Sequence, residues 1–213
     1  MRVVTNITSS DLTTATVLAV ALSRAVGQPT VIAGALAMAA HGYRRETNDV
    51  DIVIPVVIGT SSGDAVEQAA AELDLTVRAK HGFGGLDLRA GDVRIDVLTL
   101  DHDLPSLVPD AVSEAISSGR KIGLFGHTVY VVSLGHLIAM KLVAERKKDL
   151  ADIVELIKAR MEEDTWEEDK RDVKAVVKEH LGWYAARAVD ELARTAKTEL
   201  RAGAIPTQVG VAA

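Results

Sequence analysis

Two aspartates separated by one residue, Asp49 and Asp51, lie in the segment TNDVDIVI at residues 47–54. Their neighbours are mostly β-branched apolar residues, a pattern that predicts a buried strand. Side chains two positions apart on a strand share a face, so both carboxylates should project together while Val50 and Ile52 pack on the other face. Hard oxygen ligands at this spacing suit Mg²⁺, with Mn²⁺ as the alternative ion. In the competing interpretation the pair merely starts a turn.

A third acid, Asp96, interrupts the apolar run VRIDVLTL at residues 93–100. Its flanking residues Ile95 and Val97 favour a strand, and a strand beside the first one would complete a cluster of three carboxylates. The alternative is a solvent-facing aspartate on an edge strand. Turns or loops are predicted for the other nearby acids, Asp87, Asp92, Asp101 and Asp103.

A glycine at a strand-to-helix junction, Gly34, lies in the segment VIAGALA. The backbone amides of Gly34, Ala35 and Leu36 would then start a helix, where free N–H groups and the helix dipole favour phosphate. This pattern predicts a phosphate cradle beside the acidic pair. The alternative is a glycine needed only for packing.

A lysine in an apolar helical stretch, Lys141 in LIAMKLVA, is the next candidate. An unpaired ammonium group is costly in such surroundings, which favours contact with a triphosphate over simple solvation. Downstream, Asp149 and Asp152 are three residues apart and share a helical face. For Arg146 and Lys147 the favoured interpretation is a surface helix with intrahelical ion pairs.

Composition limits the function further. The chain has 213 residues, no cysteine and a formal net charge of -6. These values exclude disulfides, thiolate metal sites and a cysteine nucleophile, and they argue against a surface that coats nucleic acid, although a local basic groove is permitted. No signal peptide or membrane-spanning run is recognisable, so we expect a cytoplasmic protein without membrane contact. The six histidines have no zinc-site spacing.

The elements that must position these residues form a mixed first part and a helical second part. We predict an α+β fold in which helices flank a mixed β-sheet, with a C-terminal helical region that should bury Trp183 and Tyr184. The predicted division is a core at 1–132, a helical region at 133–203 and a tail at 204–213. Strands are predicted within 29–34, 50–58, 75–82, 84–91, 93–100 and, as a pair, 121–132; helices within 11–27, 35–43, 62–74, 109–119, 133–145, 147–160 and 165–200.

In this order the motifs resemble the minimal nucleotidyltransferases of the DNA polymerase β superfamily, with their pattern of hG[G/S], DhDh and a third acid. The segment VVSLGHLIAMKLVAERKKDLADIVEL is similar to the AbiEii-type branch, which includes abortive-infection and tRNA-modifying toxins. The resemblance covers about residues 31–156. One departure is Ala35, which stands where the family usually has a second Gly or Ser and which keeps the amide but lacks a hydroxyl.

The resemblance implies a nucleotidyltransferase fold and Mg²⁺-dependent transfer of a nucleoside monophosphate from a nucleoside triphosphate to an acceptor hydroxyl. The acceptor would be a tRNA 3′ end contacted by Arg44, Arg45 and Arg146, or a protein or small molecule, and a cognate antitoxin would be a partner. The alternative is a non-catalytic relative that binds a nucleotide or a partner protein. The resemblance assigns metal binding and catalysis to Asp49, Asp51 and Asp96, and nucleotide binding to Gly34, Ala35, Thr47, Lys141 and Asp149.

Overall fold

A computed structural model describes residues 10–57, 59–80, 85–99, 104 and 106–203. Several residues with sequence-based predictions lie outside these ranges: Asp101, Asp103, His81 and His102. The predicted tail at 204–213 also lies outside them. The helices are α1 (Ser10–Ala25), α2 (Gly34–Ala40), α3 (Ser61–Glu72), α4 (Leu107–Ser117), α5 (Leu134–Ala144), α6 (Lys147–Glu162) and α7 (Trp166–Gly203). The strands are β1 (Val31–Ile32), β2 (Asp49–Val53), β3 (Thr76–Lys80), β4 (Gly85–Ala90), β5 (Val93–Leu98), β6 (Lys121–Leu124) and β7 (His127–Val131).

One mixed sheet contains all these strands, in the order β3-β4-β5-β2-β1-β7-β6. The central pair, β2 and β5, is parallel, and its register places Asp51 opposite Asp96. On the other side of β5, β4 runs antiparallel and places Asp87 opposite Asp96. Three acidic residues therefore lie in one row across three neighbouring strands.

The hydrophobic core joins the sheet to the helices around it. Val50 and Ile52 of β2 are fully buried, and α1 packs against β2 and β5. Leu137 and Ile138 of α5 belong to the same core as the strands. The expected α+β fold, with a mixed sheet flanked by helices and a C-terminal helical region, is confirmed. The division at residue 132 stays a prediction.

Helix α7 is broken at Gly182, whose φ of 82° and ψ of -179° are not helical. The expectation that Trp183 and Tyr184 are buried is wrong, because their side chains are 62% and 86% exposed. Small aliphatic residues at helical spacing form the buried stripe of α7, and the break at Gly182 turns Trp183 and Tyr184 away from it. The ammonium group of Lys178 lies 5.9 Å from the centre of the Trp183 ring. The buried stripe consists of Val173, Val177, Ala186, Val189, Ala193 and Ala196.

Two further local features concern a helix cap and a core histidine. Thr60 occupies the N-cap position of α3, and its hydroxyl donates to the Val57 carbonyl. His41 is buried and bonds through Nε2 to the Val132 carbonyl at 2.9 Å, and burial lowers its pKa to about 4. His41 is thus a satisfied core residue. None of the helices within the described ranges has the length and apolar character needed to cross a membrane.

We expect Gly182→Ala to lower the free energy of unfolding by about 1–3 kcal/mol, because this combination of φ and ψ is accessible almost only to glycine. Space does not limit the site, since a Cβ at Gly182 would meet no atom within 4 Å. Chemical denaturation measures the change. The control is Gly123→Ala, where there is also open space and the backbone is not left-handed. Equal losses in both variants would contradict this explanation.

Candidate active site

Four aspartates share one face of the sheet at its centre, which we call the acidic face: Asp49, Asp51, Asp87 and Asp96. Asp51, Asp96 and Asp87 lie in register across β2, β5 and β4, and Asp49 lies two residues before Asp51. The alternation of β2 buries Val50 and Ile52 on the opposite face. The predicted strands and the predicted neighbourhood of Asp49, Asp51 and Asp96 are therefore observed, although their catalytic and metal-binding roles remain predictions.

Gly34 determines how closely the chain can approach Asp51. A Cβ built on Gly34 would lie 1.8 Å from Oδ2 of Asp51, so no other residue fits without displacing the carboxylate. Its φ of +53° also favours glycine. The backbone NH of Ala33 donates to the carbonyl oxygen of Asp51 at 2.9 Å. Gly34 therefore leaves the space that the Asp51 carboxylate occupies. This role is independent of the predicted contact between Gly34 and phosphate.

Two arginines neutralise part of the acidic face. Arg94 binds Asp96 through both Nε and Nη2, at 3.0 and 2.9 Å, and its Nη1 lies 3.8 Å from Asp49. Arg89 makes the same bidentate interaction with Asp87, through Nε at 2.8 Å and Nη2 at 3.2 Å. The hydrogen bond to Asp96 raises the pKa of Arg94, so this guanidinium stays charged. The prediction that Asp87 lies in a turn is wrong, because β4 extends through it.

Among the described residues, no arginine pairs with Asp51 in a comparable way. Burial raises its pKa to about 7, and the negative charges of Asp49 and Asp96 add to the effect, while Lys141 and Arg94 oppose it. The side chain keeps part of its surface open to the cavity described below. An additional positive charge beside Asp51 would therefore favour its ionised form.

The acidic face fits a divalent metal ion in its chemistry. Carboxylate oxygens are the ligands that Mg²⁺ prefers, and Asp51 is held in a place where its ionised form needs a positive neighbour. Within the described ranges, no three His, Asp or Glu side chains are already arranged to hold a metal ion. Arg94 instead bridges Asp49 and Asp96. An ion would have to compete with this guanidinium for the same oxygens.

A second group of charges, the Lys141 cluster, joins α5 to α6 and consists of Lys141, Asp149, Asp152, Arg45 and Arg146. Lys141 is only 6% exposed, and its Nζ donates to Asp152 at 2.6 Å and to Asp149 at 3.2 Å. Arg45 pairs with Asp152 at 3.1 Å and Arg146 with Asp149 at 2.5 Å. The family resemblance assigned nucleotide binding to Lys141 and Asp149 but gave Asp152 no role.

The balance of charges keeps Asp149 ionised. Burial opposes ionisation of this carboxyl, yet the hydrogen bond from Arg146 and the charge of Lys141 outweigh it and lower the pKa. The bond to Asp149 likewise raises the pKa of Arg146. Breaking this network by removing one partner would leave a buried charge uncompensated. The cluster therefore fixes α6 against Lys141.

A cavity of about 370 Å³ lies between the acidic face and α4, α5 and the start of α6. This volume is within the range of small-molecule sites. The described residues on its polar side are Gly34, Asp51, Arg94, Asp96, Thr99, Lys141, Arg146 and Asp149. Those on its apolar side are Ala33, Leu98, Leu104, Leu107, Val108, Leu137, Met140, Val143 and Ala144.

Three predicted site residues do not line this cavity. Thr47 donates its hydroxyl to the Asp49 carboxylate, so it supports that acid. Ala35 is buried in α2 at 3% exposure. Asp49 itself lies at the edge of the acidic face beside Arg94.

Arg94 is a functional candidate that we did not predict, although its position could have been predicted from the sequence. It lies two residues before Asp96 on a strand, and period-two alternation puts both side chains on one face. Once β4 and β5 are paired in this register, Asp87 lies opposite Asp96. By contrast, nothing in the sequence distinguishes Thr99, whose importance depends on the cavity that surrounds it.

We expect the contribution of Asp51 to the free energy of unfolding to fall as the pH rises from about 4 to about 7. Asp51 binds its proton more tightly in the folded chain, where the pKa is about 7, than at its ordinary value of 3.8, so deprotonation in this window favours unfolding. Asp51→Asn should remove this part of the slope and raise stability at pH 8 by roughly 1–3 kcal/mol. Urea denaturation at several pH values measures it.

The control for this series is Asp92→Asn, at an exposed turn position. It should keep the pH slope of the wild type. Identical slopes in wild type and Asp51→Asn would show that Asp51 is not the group that titrates.

Comparisons with known proteins yield only distant structural likenesses. No protein-family model matches the chain, and no curated protein does either. The solution structure of the antibiotic-resistance factor ANT(2'')-Ia is 15% identical, with 92% of this chain and 98% of that chain covered and a TM-score of 0.47. The crystal structure of ANT(2'')-Ia with adenylyl-2''-tobramycin is 18% identical, with 89% and 98% covered and a TM-score of 0.46. A Helicobacter pylori protein named as a nucleotidyltransferase is 12% identical, with 92% and 98% covered and a TM-score of 0.38.

Proposed function

We propose that this protein transfers a nucleoside monophosphate from a nucleoside triphosphate to an acceptor hydroxyl, with Mg²⁺ as its cofactor. One observation carries the proposal: Asp51 and Asp96 lie side by side on parallel strands, and Gly34 makes room for the Asp51 carboxylate at the wall of a cavity. A structural role would not require a half-buried acid with a raised pKa beside a second acid.

The residues of the acidic face would hold the reacting groups. Asp49, Asp51 and Asp96 would bind Mg²⁺, which when bound would offset negative charge on the triphosphate and on the leaving pyrophosphate. Asp96 would accept the proton of the acceptor hydroxyl as its oxygen forms a bond to the α-phosphorus. The bond from that phosphorus to the pyrophosphate oxygen would break, and no covalent enzyme intermediate is needed.

Cationic side chains on the opposite wall of the cavity would bind the triphosphate. Lys141 and Arg146 both line the cavity, and each already pairs with Asp149. Their positions are therefore fixed before a ligand arrives, which reduces the entropy lost on binding. Gly34 lines the same cavity next to Asp51. Ala35 would contribute nothing beyond its backbone amide.

The acceptor that we favour is a tRNA 3′ end, in line with the resemblance to toxin-like enzymes, and a cognate antitoxin would be the protein partner. Arg44 is exposed and could contact a phosphate directly. Arg45 and Arg146 are already paired with Asp152 and Asp149, so they are weaker candidates for RNA contacts than the sequence implied.

A non-catalytic nucleotide-binding or partner-binding protein is the second candidate. The specific observation in its favour is the two-pronged bond between Arg94 and Asp96, which occupies oxygens that a metal ion would need. Ala35 also favours the non-catalytic candidate, because it lacks the hydroxyl that a serine at this position would offer to a phosphate. The preserved acids Asp49, Asp51 and Asp96 oppose this candidate.

We expect a nucleoside triphosphate together with Mg²⁺ to raise the melting temperature more than either does alone, because the carboxylates and the phosphates would share the ion. Differential scanning fluorimetry measures the shift. Asp51→Asn should lose the additional shift, whereas Asp92→Asn should keep it. Equal shifts with and without Mg²⁺ would exclude a metal-bridged complex.

The acceptor can be identified by incubating the protein with total RNA, Mg²⁺ and each radiolabelled nucleoside triphosphate in turn. We expect label in a band of tRNA size, and none with Asp51→Asn. Labelling should fall steeply between roughly 50 and 200 mM salt, since phosphate contacts release counterions. Label on protein would identify a side-chain hydroxyl as acceptor. No label from protein that binds triphosphate and Mg²⁺ would favour the non-catalytic candidate.

A further inference from the structure

Thr99, in the wall of the cavity, has a buried hydroxyl without a hydrogen-bond partner among the described residues. Thr99 directly follows β5, lines the cavity and is only 2% exposed. Its Oγ1 makes no hydrogen bond to any described residue. Burial of a hydroxyl without a hydrogen bond is costly, so this group needs an explanation.

The surroundings of Thr99 change from charged to apolar along β5. Asp96 belongs to the acidic face, Leu98 lines the cavity two residues later, and Thr99 comes next. Across the cavity, α5 shows the same change, since Lys141 and Leu137 lie one helical turn apart and both line it. A ligand that fits must therefore combine a highly charged end with an apolar body that has a polar edge.

We propose that the apolar side of the cavity binds the nucleobase of the triphosphate, and that the Thr99 hydroxyl hydrogen-bonds the polar edge of that base; this inference rests on the proposed function. A base has flat apolar faces and polar edge atoms, and a hydroxyl can both donate and accept. A polyhydroxylated or multiply charged acceptor would lose its own hydration against leucine, valine and methionine side chains. Thr99 is thus a residue that determines nucleotide specificity.

Equilibrium binding in the presence of Mg²⁺ tests the proposal with two probes, a nucleoside triphosphate and inorganic tripolyphosphate, which lacks the base. Each of the four nucleoside triphosphates is titrated in turn. Thr99→Val removes the hydroxyl at nearly constant volume and should weaken the preferred nucleotide by about three- to tenfold. It should leave tripolyphosphate unchanged and should reduce the preference among the four bases. Thr99→Ser, which keeps the hydroxyl, should bind within about twofold of wild type.

The stability of the ligand-free variant provides a second measurement. Because Oγ1 has no hydrogen-bond partner in the part of the chain that the structure describes, Thr99→Val should melt at or above the temperature of the wild type. A clear fall in melting temperature would mean that the hydroxyl has a structural partner, and it would overturn the proposal. So would unchanged nucleotide binding by Thr99→Val, or an equal loss for nucleotide and tripolyphosphate.

Failure of this inference differs from failure of the proposed function. If the wild type binds tripolyphosphate as tightly as every nucleoside triphosphate, the base has no subsite and the assignment of Thr99 is wrong, while nucleotidyl transfer stands. If the wild type binds neither probe with Mg²⁺, the proposed function itself is wrong.

Discussion

The close approach of the Gly34 backbone to the Asp51 carboxylate is the constraint on which the site depends. A single added carbon at residue 34 would overlap Oδ2 of Asp51. Because β1 pairs with β2 and only Ala33 separates β1 from α2, any shift at Gly34 would move both the strand and the helix. The position of the half-buried Asp51 is therefore set by the local backbone, and the cavity forms around it.

The fold was accessible from the sequence wherever apolar periodicity was strong. Alternation predicted β2 and β5, and the fully buried Val50, Ile52, Ile95 and Val97 bear it out. The break at Gly182 was not predicted, because one glycine in a helical pattern is commonly tolerated. The exposure of Trp183 and Tyr184 follows from that break, so it was missed for the same reason.

The site was accessible only in part, because its electrostatics depend on contacts between distant segments. The pairing of Asp51 with Asp96 joins residues 45 positions apart through β-sheet register, which local patterns do not fix. Likewise, Asp152 meets Arg45 across 107 positions. Arg94 could have been predicted, because it lies two residues before the candidate Asp96 on the same strand. Thr99 could not, because its significance depends on the burial of its hydroxyl without a hydrogen-bond partner within the described ranges.

The inventory of charges explains why the two sides of the cavity differ. When Asp51 is ionised, the acidic face has four carboxylates, and among the described residues two guanidinium groups, those of Arg89 and Arg94, form ion pairs with them. The deficit of two positive charges equals the charge of one divalent ion. The Lys141 cluster has the opposite imbalance, with three cationic groups against two carboxylates. A ligand with an anionic phosphate chain and an accompanying divalent cation complements both sides at once, whereas a neutral ligand complements neither.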